Sequence, residues 1–225
     1  MTIGTFLMSN RFDLIIFDWD GTLLNSTSVI VSSLQSAADD VGLPQPSADD
    51  ARHVIGLGLS DALEYLFPIA SSQQVGLLVD RYFHHYSVYG QRISLFEGVT
   101  EVIESLHTKE LLLAVATGKG RSELDNAFES SGLGQYFHAS RCADETFSKP
   151  HPAMLLELME QFDVDPRRAL MVGDTTHDLQ MAINAKVAGL GVTYGAHPRE
   201  SLLSLAPLDC VNSIVELNLW FETNV

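Results

Sequence analysis

Basic side chains are scarce in this chain. Thirteen lysines and arginines stand against 29 aspartates and glutamates among 225 residues, a formal net charge of −16 at pH 7. Nucleic acid and anionic membrane surfaces both need a basic footprint, so neither is expected as a partner. Cysteine is scarcer still. Cys142 and Cys210 lie far apart and form no CxxC pair, which argues against a disulfide framework or a zinc site. Two free thiols in a reducing compartment, the cytoplasm by default, is the simpler expectation. No apolar run approaches the ~20 residues that span a bilayer. The opening MTIGTFLMSNRFD has too short an apolar stretch, and no charged leading region, for a signal peptide. Internal repeats and low-complexity tracts are also missing. With 46% apolar and 19% charged residues, the composition is that of a globular protein long enough for a sizeable core and a second, smaller domain.

What is present is a recurrence of short apolar runs separated by helix-length intervals. LIIF (14–17), LLLAVA (111–116), ALMVG (169–173) and the weaker GLGVTYG (189–195) read as buried strands. Helical spacing follows in residues 99–106, 153–162 and 178–188. This alternation predicts an α/β fold, a Rossmann-like parallel sheet with helices on both faces. Ligands of such sheets bind beyond the carboxyl ends of the strands. The interval 25–92 breaks the pattern. Ile30, Leu34, Ala37, Ala38 and Val41 have helical spacing after a capping residue among Asn25 to Ser28, and GLPQPS (42–47) ends that helix. Leu59, Leu63 and Leu66 suggest a second helix stopped at Pro68, and Val75, Leu78, Val79 and Tyr82 a third. The expected organisation is a core of residues 1–24 and 93–225 interrupted by a small helical cap, 25–92.

Four separated features carry chemistry: Asp18-Trp19-Asp20-Gly21-Thr22, Thr117-Gly118, Lys149-Pro150, and Gly173-Asp174 with Asp178 four residues on. Each alone is weak, since an acidic pair, a capping threonine or a first-turn aspartate needs no function. Three of them directly follow predicted strands, which would gather Asp18, Asp20 and Asp174 at one sheet edge. Such a cluster needs a cation, and a hard divalent ion such as Mg2+ suits oxygen ligands and a phosphate. A carboxylate can then attack phosphorus. A hydroxyl, a lysine and backbone N–H groups, with Gly21 and Thr22 among the candidates, would bind the phosphate oxygens. A second carboxylate can move the proton.

This set resembles the haloacid dehalogenase-like superfamily, most closely its phosphoglycolate phosphatase-like branch with a helical cap. The resemblance runs from DWDGTLLNS to GDTTHDLQMAINAKVAGLGVTYG. It implies a Mg2+-dependent hydrolase of a small phosphomonoester working through an aspartyl-phosphate. Asp18 is then nucleophile and metal ligand, and Asp20 the general acid/base, its backbone carbonyl also on the metal. Thr117, Gly118 and Lys149 would hold the phosphate, Asp174 would bind Mg2+, and Asp178 would support it from close by. The division of labour between Asp18 and Asp20 comes from the family alone. Three positions depart from the family's usual pattern: Asn25 for Asp, Gly118 for Asn and Lys186 for Gly.

Other readings are weaker. GKGRS (118–122) lacks P-loop spacing and reads as the entry to a helix. GLGLS (56–60) follows no strand, so it is either a helix-joining turn or a substrate-facing loop. Arg52, His53, Gly56 and Leu57 are the cap's candidate substrate contacts. His84 and His85 read as part of a mixed helix face, and His177 as a loop residue at the pocket mouth. Trp19 should pack under or beside the cap. A β-phosphoglucomutase-like phosphosugar mutase would share the core residues, and a phospho-acceptor signalling module is a rival of a different class. A phosphonate-cleaving relative would need a cap lysine, and residues 24–92 contain none.

Overall fold

The computed structural model describes residues 11–225; the first ten residues of the segment read against a signal peptide lie outside it. Six parallel strands form one sheet in the order β3-β2-β1-β4-β5-β6. They are β1 (Leu14–Phe17), β2 (Leu112–Thr117), β3 (Ala139–Cys142), β4 (Ala169–Gly173), β5 (Ala188–Val192) and β6 (Cys210–Val211). The three central strands are apolar on both faces because both faces are covered. Ile15 and Phe17 pack with Leu113, Val115, Leu170 and Val172 on one side. Leu14 and Ile16 pack with Ala114, Ala116, Ala169 and Met171 on the other. Helices α5 (Val99–Thr108), α6 (Arg121–Ser131) and the C-terminal helix (Ile214–Asn224) cover the first face, α7 (Ala153–Phe162) and α8 (Thr176–Ala185) the second. Both cysteines are free and buried. No helix among the described residues is long and apolar enough to cross a membrane.

Register places the chemistry. Phe17 pairs with Val115 on one side and Val172 on the other, so the carboxyl ends of β1, β2 and β4 fall within two residues of one another. Asp18 and Asp174, which follow β1 and β4, and Thr117, the last residue of β2, therefore lie at one edge. Strands β3 and β6 were not expected. The first is a partly exposed edge strand, ASRC, with no apolar run, and the second has two residues.

Between β1 and α5 lie four helices: α1 (Thr27–Val41), α2 (Ala48–His53), α3 (Leu59–Leu66) and α4 (Ser72–Tyr89). They bury their own cluster, centred on Leu34, Ala37, Ala38, Leu63 and Leu78. Helix α1 ends at Gly42, whose left-handed φ of 72° closes the last turn. The short α2, ADDARH, carries too few apolar residues to show a period and was not anticipated. The two chain passages joining insert and core run side by side, with Asn25 N–H donating to Ser94 O and Phe96 N–H to Leu23 O.

Trp19 is a correction. It does not touch the cap but lies fully buried in the sheet-face core, edge-on to Phe128 at 5.3 Å and Phe137 at 6.3 Å. Alternation along the chain after β1 explains it: Asp18 and Asp20 face the edge while Trp19 turns back. At Lys186 the backbone is left-handed, φ 61°, closing α8 where glycine is the favoured residue.

Candidate active site

Lys149 is the hub of the site. Its ammonium is fully buried and donates to Asp18 Oδ1 at 2.6 Å and to Asp178 Oδ1 at 2.7 Å. Burial works against its charge, but Asp178 and Asp18 outweigh it and push the lysine up. The second oxygen of Asp178 accepts from Thr175 N–H (3.0 Å) and Thr175 Oγ1 (2.7 Å), closing a reciprocal cap on α8. Asp174 accepts from Thr22 Oγ1 at 2.8 Å and from Ala196 N–H at 2.7 Å. Asp18 is different. Its Oδ1 is held by Lys149, while Oδ2 is buried with no hydrogen-bond partner.

Three buried carboxylates, Asp18, Asp174 and Asp178, each bring an oxygen within 4.8 Å of the others, and one lysine cannot balance them. Desolvation first, and the neighbouring aspartates next, raise Asp174 to about 7 and push Asp18 well above the ordinary carboxylate range. The partnerless Asp18 oxygen and the all-oxygen donor set fit a hard divalent cation. The surroundings are cut close to that cradle: a Cβ on Gly21 or Gly195 would stand 2.2 or 2.1 Å from Asp174 Oδ2.

Asp20 lines a cavity with Asp18, Thr117, Gly118 and Lys119. Its two oxygens are held by Ser26 Oγ at 2.6 Å and Lys119 Nζ at 3.0 Å. Ser26 precedes α1 but does not cap it with its side chain. The hydroxyl is spent on Asp20 instead, at the cost of a cap typically worth about 1 kcal/mol. Lys119 is buried, and Tyr86 of α4 lies over it, ring centroid 4.9 Å away and hydroxyl 3.3 Å. Burial disfavours the Lys119 ammonium, but Asp20, Tyr86 and Glu123 overcome it and raise the lysine. Neither Ser26 nor Lys119 was expected here. The available signal was scarcity, because the chain has only four lysines and one directly follows Thr117-Gly118.

The insert closes the cavity with the GLGLS loop. Gly118 has no room for a side chain: a Cβ there would lie 2.3 Å from Leu57 O and 2.6 Å from Gly56 O. That is the physical reason for glycine at this position. Gly56 and Leu57 thus line the cavity. Four candidates do not sit as expected. Gly21 N–H donates to Leu24 O and the Thr22 hydroxyl to Asp174, so both serve the turn and the carboxylate cluster instead of the cavity. Arg52 and His53 line a separate cleft on the other side of the insert's contact with the core. His53 is stacked on His197, and its carbonyl accepts from His177 Nε2 (2.7 Å) and His197 Nε2 (3.2 Å). His177 therefore lies in the first turn of α8 against the insert, not in a loop at the pocket mouth.

With this geometry in place, a family model described as haloacid dehalogenase-like hydrolase matches residues 15–192. The chain belongs to that family. This haloacid dehalogenase-like hydrolase is 34% identical over 212 residues to "Probable phosphatase IndB" of Dickeya dadantii, with 91% of each chain covered. It is 32% identical over 188 residues to a phosphoglycolate phosphatase of Agrobacterium fabrum, with 81% of each chain covered. The crystal structure of a predicted phosphoglycolate phosphatase from Haemophilus somnus superposes with a TM-score of 0.82 at 26% identity, covering 93% of this chain and 97% of that one. The hydrolase is an enzyme of the phosphoglycolate phosphatase-like branch.

Proposed function

We propose that the protein hydrolyses a small phosphomonoester, with a divalent cation, Mg2+ by its donor set, through an aspartyl-phosphate on Asp18. One observation carries the reading: Asp18 is pinned through Oδ1 by Lys149 while its buried Oδ2 is left without a partner, beside a second carboxylate that lines the same cavity. Oδ2 attacks phosphorus as the P–O bond to the alcohol breaks, and Asp20 gives its proton to the departing oxygen. A water then attacks the phosphorus of the aspartyl-phosphate, Asp20 takes its proton, and phosphate leaves with Asp18 regenerated. Lys149, the Thr117 hydroxyl and the Gly118 N–H are the groups proposed to bind the phosphate oxygens. Asp18 and Asp174, with the Asp20 carbonyl and Asp178 in support, would hold the cation, which offsets the charge of the phosphate when bound.

The test is Asp18→Asn. Its far-ultraviolet circular dichroism should match that of the parent, while Mg2+-dependent phosphate release from phenyl phosphate falls by more than roughly 10³-fold, as for loss of a covalent nucleophile. Near-parental turnover would refute the mechanism. Release of inorganic phosphate from sugar phosphates, rather than their isomerisation, is the expected outcome that separates a phosphatase from a mutase.

A further inference from the structure

We infer that the leaving group of the substrate is an uncharged alcohol or phenol with a largely apolar body, bound in the cavity between the helical insert and Asp18/Asp20. This rests on the phosphatase reading above. The insert lends that cavity Ile30, Leu34, Val54, Ile55, Leu59 and Tyr82, all apolar or neutral, together with Gly56, Leu57 and Ala62. Every charge on the wall comes from the core: Asp18, Asp20, Glu123 and Lys119. A leaving group with its own carboxylate or second phosphate would need a free cation there. Lys119 does not provide one, because it is held 3.0 Å from Asp20 Oδ2 with Glu123 nearby. The insert's described arginine side chains are engaged elsewhere: Arg52 pairs with Asp49 and Arg81 with Asp40. An extra anion buried among three acids and apolar walls would carry an uncompensated desolvation cost.

The one neutral polar side chain offered by the insert is that of Tyr82. Tyr82 is 7% exposed, lines the cavity, and finds no hydrogen-bond partner for its hydroxyl among the described residues. It can serve a hydroxyl or carbonyl of the ligand. The cavity measures about 50 Å³ as closed here, room for a few water molecules. The insert must therefore withdraw to admit an ester, and its apolar side chains then come down on the leaving group.

The experiment uses the full chain with saturating Mg2+ and measures kcat/KM for phosphate release from ethyl, propyl and butyl phosphate and from phosphoglycolate. The alkyl esters differ little in leaving-group acidity, so the series reads the pocket. The expected result is a rise of about fourfold per added methylene, the usual gain for burying one, and at least a roughly 10-fold preference for propyl phosphate over phosphoglycolate. A flat alkyl series, or phosphoglycolate equal to or better than propyl phosphate, would overturn the inference while leaving the phosphatase reading intact. No phosphate release from any ester would overturn that reading itself.

Discussion

Replacing Gly118 with alanine tests how the insert is seated on the catalytic edge. The added methyl would stand 2.3 Å from Leu57 O, 2.6 Å from Gly56 O and 2.8 Å from Leu57 C. These are backbone atoms, so no rotamer change relieves the clash. Ordinary carbon–oxygen contact requires the loop to retreat by about 1 Å. It has little freedom to do so, because Gly58 N–H is bonded to Ser148 Oγ at 2.8 Å and Gly56 packs against Thr175. Overpacking of this kind costs about 1–3 kcal/mol, a fall in Tm of roughly 3–10 °C for a chain of this size. The larger effect falls on catalysis, since a displacement near 1 Å in a positioning element can cost about 100-fold in kcat/KM. Phosphate release from phenyl phosphate and differential scanning calorimetry are the two assays. Gly118→Asn should be worse, and trimming the Leu57 side chain in the Gly118→Ala background should not rescue it, because the clash is with carbonyls. Parental kcat/KM and Tm in Gly118→Ala would refute the steric argument.

Three further outcomes are expected. The metal-free protein should lose stability as pH rises: Asp174 has a folded pKa of about 7 against an ordinary 3.8, so its contribution is complete below about 4 and is lost by the time pH passes 7. Mg2+ should therefore raise Tm more at pH 8 than at pH 5, and EDTA should abolish turnover; a pH-independent Mg2+ effect would contradict the cluster's electrostatics. Lys149→Met strands two buried carboxylates and should cost about 3–5 kcal/mol in urea denaturation, with a loss under 1 kcal/mol counting against the lysine as hub. Lys186→Gly relieves an exposed left-handed residue and should stabilise by about 1 kcal/mol; an unchanged denaturation midpoint would show that lysine adopts this conformation without strain.

Three of the four motifs were legible because buried parallel strands must be continuous apolar runs, and each of the three directly follows one. LIIF, LLLAVA and ALMVG stand out against an acidic chain, and their ends mark where Asp18, Thr117 and Asp174 emerge. The helices α1, α3 and α4 showed through their 3.6-residue period. What lacked such a signal was missed: an edge strand of polar residues, a two-residue strand, and a six-residue helix with one buried side chain.

Side-chain partnership is a different matter. Sequence order says that Gly21 and Thr22 follow the acidic pair, but only the fold turns them onto Asp174, 152 positions beyond Thr22. Arg52 and His53 precede the GLGLS loop by a few residues, yet the end of α2 turns them into another cleft. Lys119, Ser26 and the carbonyls of Gly56 and Leu57 meet Asp20 and Gly118 through contacts between separate elements. Burial and periodicity are local properties that one strand or helix carries in its own residues. By themselves they determined the sheet, the edge and the acidic pair. Which hydrogen bond each polar atom makes, and how near the insert comes, depends on distances across the chain, and the tertiary structure alone decided those.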